Sequence, residues 1–170
     1  MLGIDTSRLG VTGESAGGGL AAALALLVRD RREYTLAFQH LIYPMIDDRT
    51  CIVADPNPYA GAFICTPHNN RFGWTAPLGH APGGGGLSPY AAAARATDLT
   101  GLPSAFIATG ALDLFLEEDL DHARRLLRAD VPTELHVHPG AFHGFDLHPT
   151  SAVAVAARAT RVAALRRALA

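Results

Sequence analysis

Leu9 to Thr12 is a short apolar segment, and Gly13-Glu14-Ser15-Ala16-Gly17 follows it directly. Ala16 to Arg29, dense in Ala and Leu, then reads as a helix stopped by the charged cluster Arg29-Asp30-Arg31-Arg32. A strand that becomes a helix within so few residues makes a very sharp turn. Gly13 and Gly17 are expected to flank it because a Cβ there would collide across the turn. Ser15 is therefore predicted at the C-terminal end of a strand, with its hydroxyl thrust outward and the positive end of a helix aimed at it.

The rest of the chain repeats that alternation. Leu36 to Ile42 reads as a buried strand closed by Pro44. Residues 47 to 103 are punctuated by proline and by the run Gly83 to Gly86, and leave room only for short helices. Ala105 to Thr109 is a strand ending in Gly110. A helix follows, with Leu116, Leu120, Ala123 and Leu127 on one face and a charge order that suits the helix dipole. Thr133 to His138 is a fourth strand, and Ser151 to Leu169 a closing helix with Val155, Val162, Leu165 and Leu169 aligned. This order predicts the α/β class: a mostly parallel sheet of about four strands flanked by helices.

Composition narrows the function. A chain of 170 residues, 49% of them hydrophobic, is enough for one domain spanning 1–170. A net charge of −2 and a pI near 6.4 offer no basic surface for nucleic acid or an anionic membrane. The longest apolar run, Ala16 to Val28, falls short of the roughly 20 residues a bilayer requires, so no membrane span is expected. Asp5 and Glu14 precede that run where a signal peptide would carry basic residues, which leaves a cytoplasmic protein as the expectation. Cys51 and Cys65 are then expected to be free thiols.

A serine hydroxyl needs a base to take its proton, and the base needs a carboxylate to orient it. Asp113 follows the third strand and His143 the fourth, in the chain order Ser, Asp, His that α/β-hydrolases use. Ser15 is the candidate nucleophile, His143 the general base and then acid, and Asp113 the orienting group. The Ala16 N–H is a candidate oxyanion donor. Competing assignments exist. The turn could be a glycine-rich phosphate loop, but no G-K-[ST] follows and G-x-G-x-x-G is not met. Asp113 could merely cap the next helix, Asp47 and Asp48 follow an earlier strand, and His148 lies close to His143. His136 and His138 share a strand face without the carboxylates or cysteines a metal site would need.

With these residues in place, the chain resembles the bacterial hormone-sensitive-lipase-like (family IV) esterases of the α/β-hydrolase fold. "SRLGVTGESAGGGLAAALAL", "LIYPMID", "LSPYAAAARATDLTGLPSAFIATGALD" and "HPGAFHGF" carry the resemblance, and with their spacing they cover nearly the whole chain. The type-B carboxylesterases also use a GESAG turn, but their acid and histidine lie farther apart. The resemblance implies hydrolysis of short-chain carboxylic esters with no metal or organic cofactor, by Ser15, His143 and Asp113. Two departures are small: Asp113-Leu114-Phe115 stands where the family has Asp-Pro-Leu, and Glu14 stands where Asp is commoner.

A third departure is larger. The family carries an HGGG-type loop and a helical cap upstream of the nucleophile, and the residues ahead of Ser15 do not contain them. The glycines of "HAPGGGG", residues 80 to 86, sit in the wrong part of the chain and read as a surface loop. The expectation is thus a partial α/β-hydrolase fold with a weakened oxyanion hole and slow turnover of a small ester substrate. Its nucleophile strand should be an open sheet edge, covered by a second copy in a homodimer or by a chain carrying the N-terminal half. The alternative is a non-catalytic relic of the fold, serving as a binding or interaction module. Acyl transfer to an alcohol would look the same in sequence.

Overall fold

In the computed structural model, which describes residues 5–170, four parallel strands form one sheet in the order β1-β2-β3-β4. They are β1 (Gly10–Glu14), β2 (Phe38–Ile42), β3 (Ser104–Gly110) and β4 (Thr133–His138). The register runs straight across: Thr12 faces His40, His40 faces Phe106, and Ala108 faces His136. The longer helices are α1 (Ala16–Arg31), α2 (Pro67–Leu78), α3 (Leu116–Arg128) and α4 (Ala152–Leu169). Because alternate side chains leave a strand on opposite faces, two cores form. Leu41 and Ile107 pack against Ala22, Leu26, Ala123 and Leu126 of α1 and α3. Ile42, Phe106 and Ala108 pack against Ala154, Ala157 and Ala164 of α4. The fold is the α/β class expected, and β1 lies at the sheet edge, paired only with β2 among the described residues.

Helix faces differ from the expectation. In α3 Leu120 and Leu127 are exposed, and the stripe against the sheet is Asp119, His122, Ala123 and Leu126, with Glu118 also buried. Helical periodicity says which residues share a stripe, but not which stripe meets the sheet. Glu118 supplies the physical reason for this choice. Its Oε1 accepts from the N–H groups of Ile46 (2.8 Å) and Asp47 (3.2 Å), and its Oε2 accepts from the Thr50 hydroxyl. It satisfies backbone donors that would otherwise be buried without partners. In α4, Val155, Val162 and Leu169 of the expected face are exposed and Leu165 is half-buried, while Ala154, Ala157 and Ala164 are buried. Alanines let this helix approach the sheet closely, which the larger side chains would prevent.

The stretch 47–103 is more ordered than its prolines suggest. Within it α2 runs for 12 residues, started by Thr66, which caps Asn69 N–H, and by Pro67 at the first position. Buried Asp48 pairs with Arg95 and accepts from Gly83 N–H, while Arg95 also donates to the Gly84 carbonyl. The glycine run is thereby fastened to the domain, although it remains largely exposed.

Asp119 is wholly buried, and neither carboxyl oxygen has a partner among the described residues. Burial, with Glu118 beside it, pushes its carboxyl well above the usual range. Burial also raises Glu118, to about 8, against the pull of its three donors. Both groups hold protons more tightly folded than unfolded. Their contribution to stability is complete below about pH 4 and falls as pH rises, that of Glu118 being lost by about pH 8. Resistance to urea is therefore expected to fall between pH 6 and pH 9. Asp119→Asn should flatten that slope and gain about 1–3 kcal/mol at pH 9. An unchanged slope in the variant would refute this account.

Candidate active site

The turn after β1 forces Ser15 to φ 55° and ψ −124°, a backbone region that side-chain-bearing residues rarely adopt. Three hydrogen bonds hold it there. Ser15 N–H donates to the Ile42 carbonyl (2.9 Å), and the Ser15 carbonyl accepts from Met45 N–H and Gly19 N–H (3.0 Å each). Ala16 opens α1, so its N–H has no acceptor within the helix.

Of the two flanking glycines, only Gly13 is tight. A Cβ on Gly13 would lie 2.1 Å from the Gly17 carbonyl oxygen, whereas a Cβ on Gly17 would meet nothing within 4 Å. The expectation for Gly17 is corrected. The crowded partners are instead Gly18, against Pro44, and Gly19, whose Cβ would come 2.0 Å from the Met45 carbonyl. The reason is the direction of the helix: Gly18 and Gly19, the two residues after Gly17, pass under the Tyr43-Pro44-Met45 turn.

Asp113 and His143 are brought together by the crossed loops at the ends of β3 and β4. Ala111 N–H donates to the His138 carbonyl and Leu112 N–H to the Ala141 carbonyl. Asp113 is fully buried, with Oδ1 accepting from Phe115 N–H at 3.0 Å. His143 Nδ1 lies 2.9 Å from Asp113 Oδ2, and His143 Nε2 lies 2.9 Å from Ser15 Oγ. An ionised carboxylate only accepts, so the ring proton sits on Nδ1 and the Nε2 lone pair faces the serine hydroxyl. The imidazole is held edge-on between Phe115 (centroids 5.1 Å, 89°) and Tyr43 (4.7 Å, 62°).

The competing residues go elsewhere. Asp47 pairs with Arg49, Asp48 with Arg95, and the exposed His148 ring meets Thr150. His136 bonds Glu134 and stacks on His138, and no metal-holding cluster occurs among the described residues. Cys51 and Cys65 are free, and burial pushes both thiols up, to about 11 and about 12.

Sequence reasoning missed an apolar ledge next to His143. Phe63 packs on Phe142 (5.4 Å), and Ile64 and Leu147 both reach Gly144. Phe63, Ile64 and Leu147 are more than half exposed, and Ile64 is held at φ 60°, a costly conformation for a β-branched residue. Only Phe142, adjacent to His143 in the chain, could have been noticed by position.

A parallel sheet with a strained serine between its edge strand and a helix, and an acid and a histidine in the loops after β3 and β4, defines an α/β hydrolase. A family model described as "alpha/beta hydrolase fold" matches residues 1–147, and the chain belongs to that family, as its resemblance to hormone-sensitive-lipase-like esterases implied. It is 35% identical to carboxylesterase NlhH of Mycobacterium tuberculosis, over 99% of this chain and 53% of that protein. It is 28% identical to ethyl acetate hydrolase of Pseudomonas putida, over 85% of this chain and 45% of that one. Among solved structures, a bacterial heroin esterase is 41% identical with a TM-score of 0.92, covering 99% of this chain and 54% of its own. The chain spans about half the length of the curated relatives it matches. No helix among the described residues is long and apolar enough to cross a membrane.

Proposed function

We propose that this chain is a serine carboxylesterase acting on short-chain esters through Ser15, His143 and Asp113. The observation that carries the reading is the continuous hydrogen-bonded chain from buried Asp113 through His143 to the strained Ser15. The names of its relatives, carboxylesterases and an ethyl acetate hydrolase, support the same substrate class.

In this reading Ser15 Oγ attacks the ester carbonyl carbon as His143 Nε2 takes its proton. The negative charge that forms on the carbonyl oxygen is met by the Ala16 N–H and the dipole of α1. The C–O bond then breaks, and His143 returns the proton to the departing alkoxide. Water, deprotonated by the same Nε2, later releases the acid from the acyl-serine. Asp113 keeps the proton on Nδ1 throughout. The alcohol leaves on the His143 side, where Phe63, Ile64, Phe142 and Leu147 favour an apolar group.

Ala16 is the oxyanion donor in this reading, and removing one such donor typically costs about 10²–10³ in turnover. Under this reading the open edge of β1 is covered by a second copy or by a chain with the N-terminal half. The test is the initial rate on 4-nitrophenyl acetate, butyrate and dodecanoate. Hydrolysis of the first two and little of the third is expected. Rates equal to the buffer on all three would favour a binding module over an enzyme.

A further inference from the structure

The buried stripe of α4 contains an intruder. Ala154, Ala157 and Ala164 face the sheet, and their spacing puts Arg161 on the same line, with its side chain only 12% exposed. A guanidinium in such a position is costly unless it is fully paired. Arg161 Nη1 donates to Asp146 Oδ2, and Nη2 donates to Glu14 Oε1. The second oxygen of Asp146 accepts from the Tyr43 hydroxyl at 2.7 Å, and the guanidinium lies 6.0 Å from the centre of the Tyr43 ring.

The partners of Arg161 flank the reacting pair. Glu14 immediately precedes Ser15, Asp146 follows His143 by one short turn, and the Tyr43 ring rests against the imidazole. One planar cation thus ties together the two backbone segments that hold Oγ and Nε2 2.9 Å apart. We propose that Arg161 is a positioning residue, setting the Ser15–His143 geometry through Glu14, Asp146 and Tyr43. This rests on the reading of Ser15 as nucleophile. Burial opposes the charge on Asp146, but the Tyr43 hydroxyl and Arg161 outweigh it and hold the carboxyl below its usual range. Burial and Asp146 push the Tyr43 phenol upward, so it remains a donor. A lysine supplies one charge point and cannot span two carboxylates as the guanidinium fork does.

The test uses Arg161→Met, Arg161→Lys and Glu14→Gln in the full chain. Labelling of Ser15 by a fluorophosphonate is resolved into a maximal rate and a binding constant. The hydrogen-bonded His143 Nδ1–H proton is followed by NMR, and the melting temperature by circular dichroism. Arg161→Met should lower the maximal labelling rate about tenfold with binding unchanged, because small misplacements of reacting groups cost that much or more. The Nδ1–H resonance should shift or broaden, and Arg161→Lys should restore the rate only in part. A variant that melts earlier yet keeps the wild-type labelling rate and resonance would overturn the proposal. If Arg161→Met does not fold, Glu14→Gln decides: it leaves the Asp146 pair intact and should slow labelling about threefold. A wild-type chain that resists labelling would count against the esterase reading, and the resonance alone would then decide the role of Arg161.

Discussion

Ser15→Ala and His143→Ala are each expected to lower kcat/KM on 4-nitrophenyl butyrate by about 10⁴-fold or more, and the double variant should fall little further. In the proposed mechanism the two groups act as one unit. Without Nε2 2.9 Å away, the serine keeps its proton and is a poor nucleophile; without Oγ, the base has nothing to activate. Asp113→Asn should cost a similar factor by a different route, since an amide at this position favours the wrong tautomer of His143. Labelling by a fluorophosphonate should vanish in Ser15→Ala and His143→Ala. His148→Ala is the control: its ring is exposed and meets the Thr150 hydroxyl, so the variant should behave as wild type. Full activity in Ser15→Ala would remove the mechanism altogether.

The parts of this site that could be read in sequence are those fixed by chain order. A turn at Ser15 between strand and helix, Asp113 after the third strand and His143 after the fourth are consequences of parallel topology. The observed β3 and β4 differ from the expected strands by a residue or none. What could not be read depends on which atoms meet across space. Large apolar residues marked the wrong faces of α3 and α4. One helix turns toward the sheet to bring Glu118 to the orphaned N–H groups of Ile46 and Asp47, and the other packs closely through alanines. The same limit hid Arg161, which in sequence is one of many arginines and in space joins Glu14 to Asp146. It also hid the strain at Ile64, because no local pattern asks a β-branched residue to take a positive φ.

The glycines of the Ser15 turn should separate sharply when each is replaced by alanine. Gly13→Ala puts a methyl group 2.1 Å from the Gly17 carbonyl oxygen and 2.7 Å from Gly18 N. Both obstacles are backbone, and both belong to the first turn of α1, so relief requires moving the helix away from β1. That motion also breaks the contact of Ser15 with Ile42 and Met45 that holds its unusual φ. A cost of about 4 kcal/mol or more is expected, against a total stability of about 5–15 kcal/mol for a domain of this kind. Gly19→Ala meets the Met45 carbonyl at 2.0 Å and should be as damaging. Gly17→Ala faces open space and exchanges glycine for the best helix former, so it should leave stability unchanged or raise it by up to about 1 kcal/mol. Urea midpoints of the three variants give the comparison. Equal losses at Gly13 and Gly17 would mean that the G-x-S-x-G pattern reports a symmetrical need for glycine. Unequal losses would mean that the turn is crowded on one side only, where the helix folds back beneath the strand, and that the second glycine of the motif is not required for the fold of this chain.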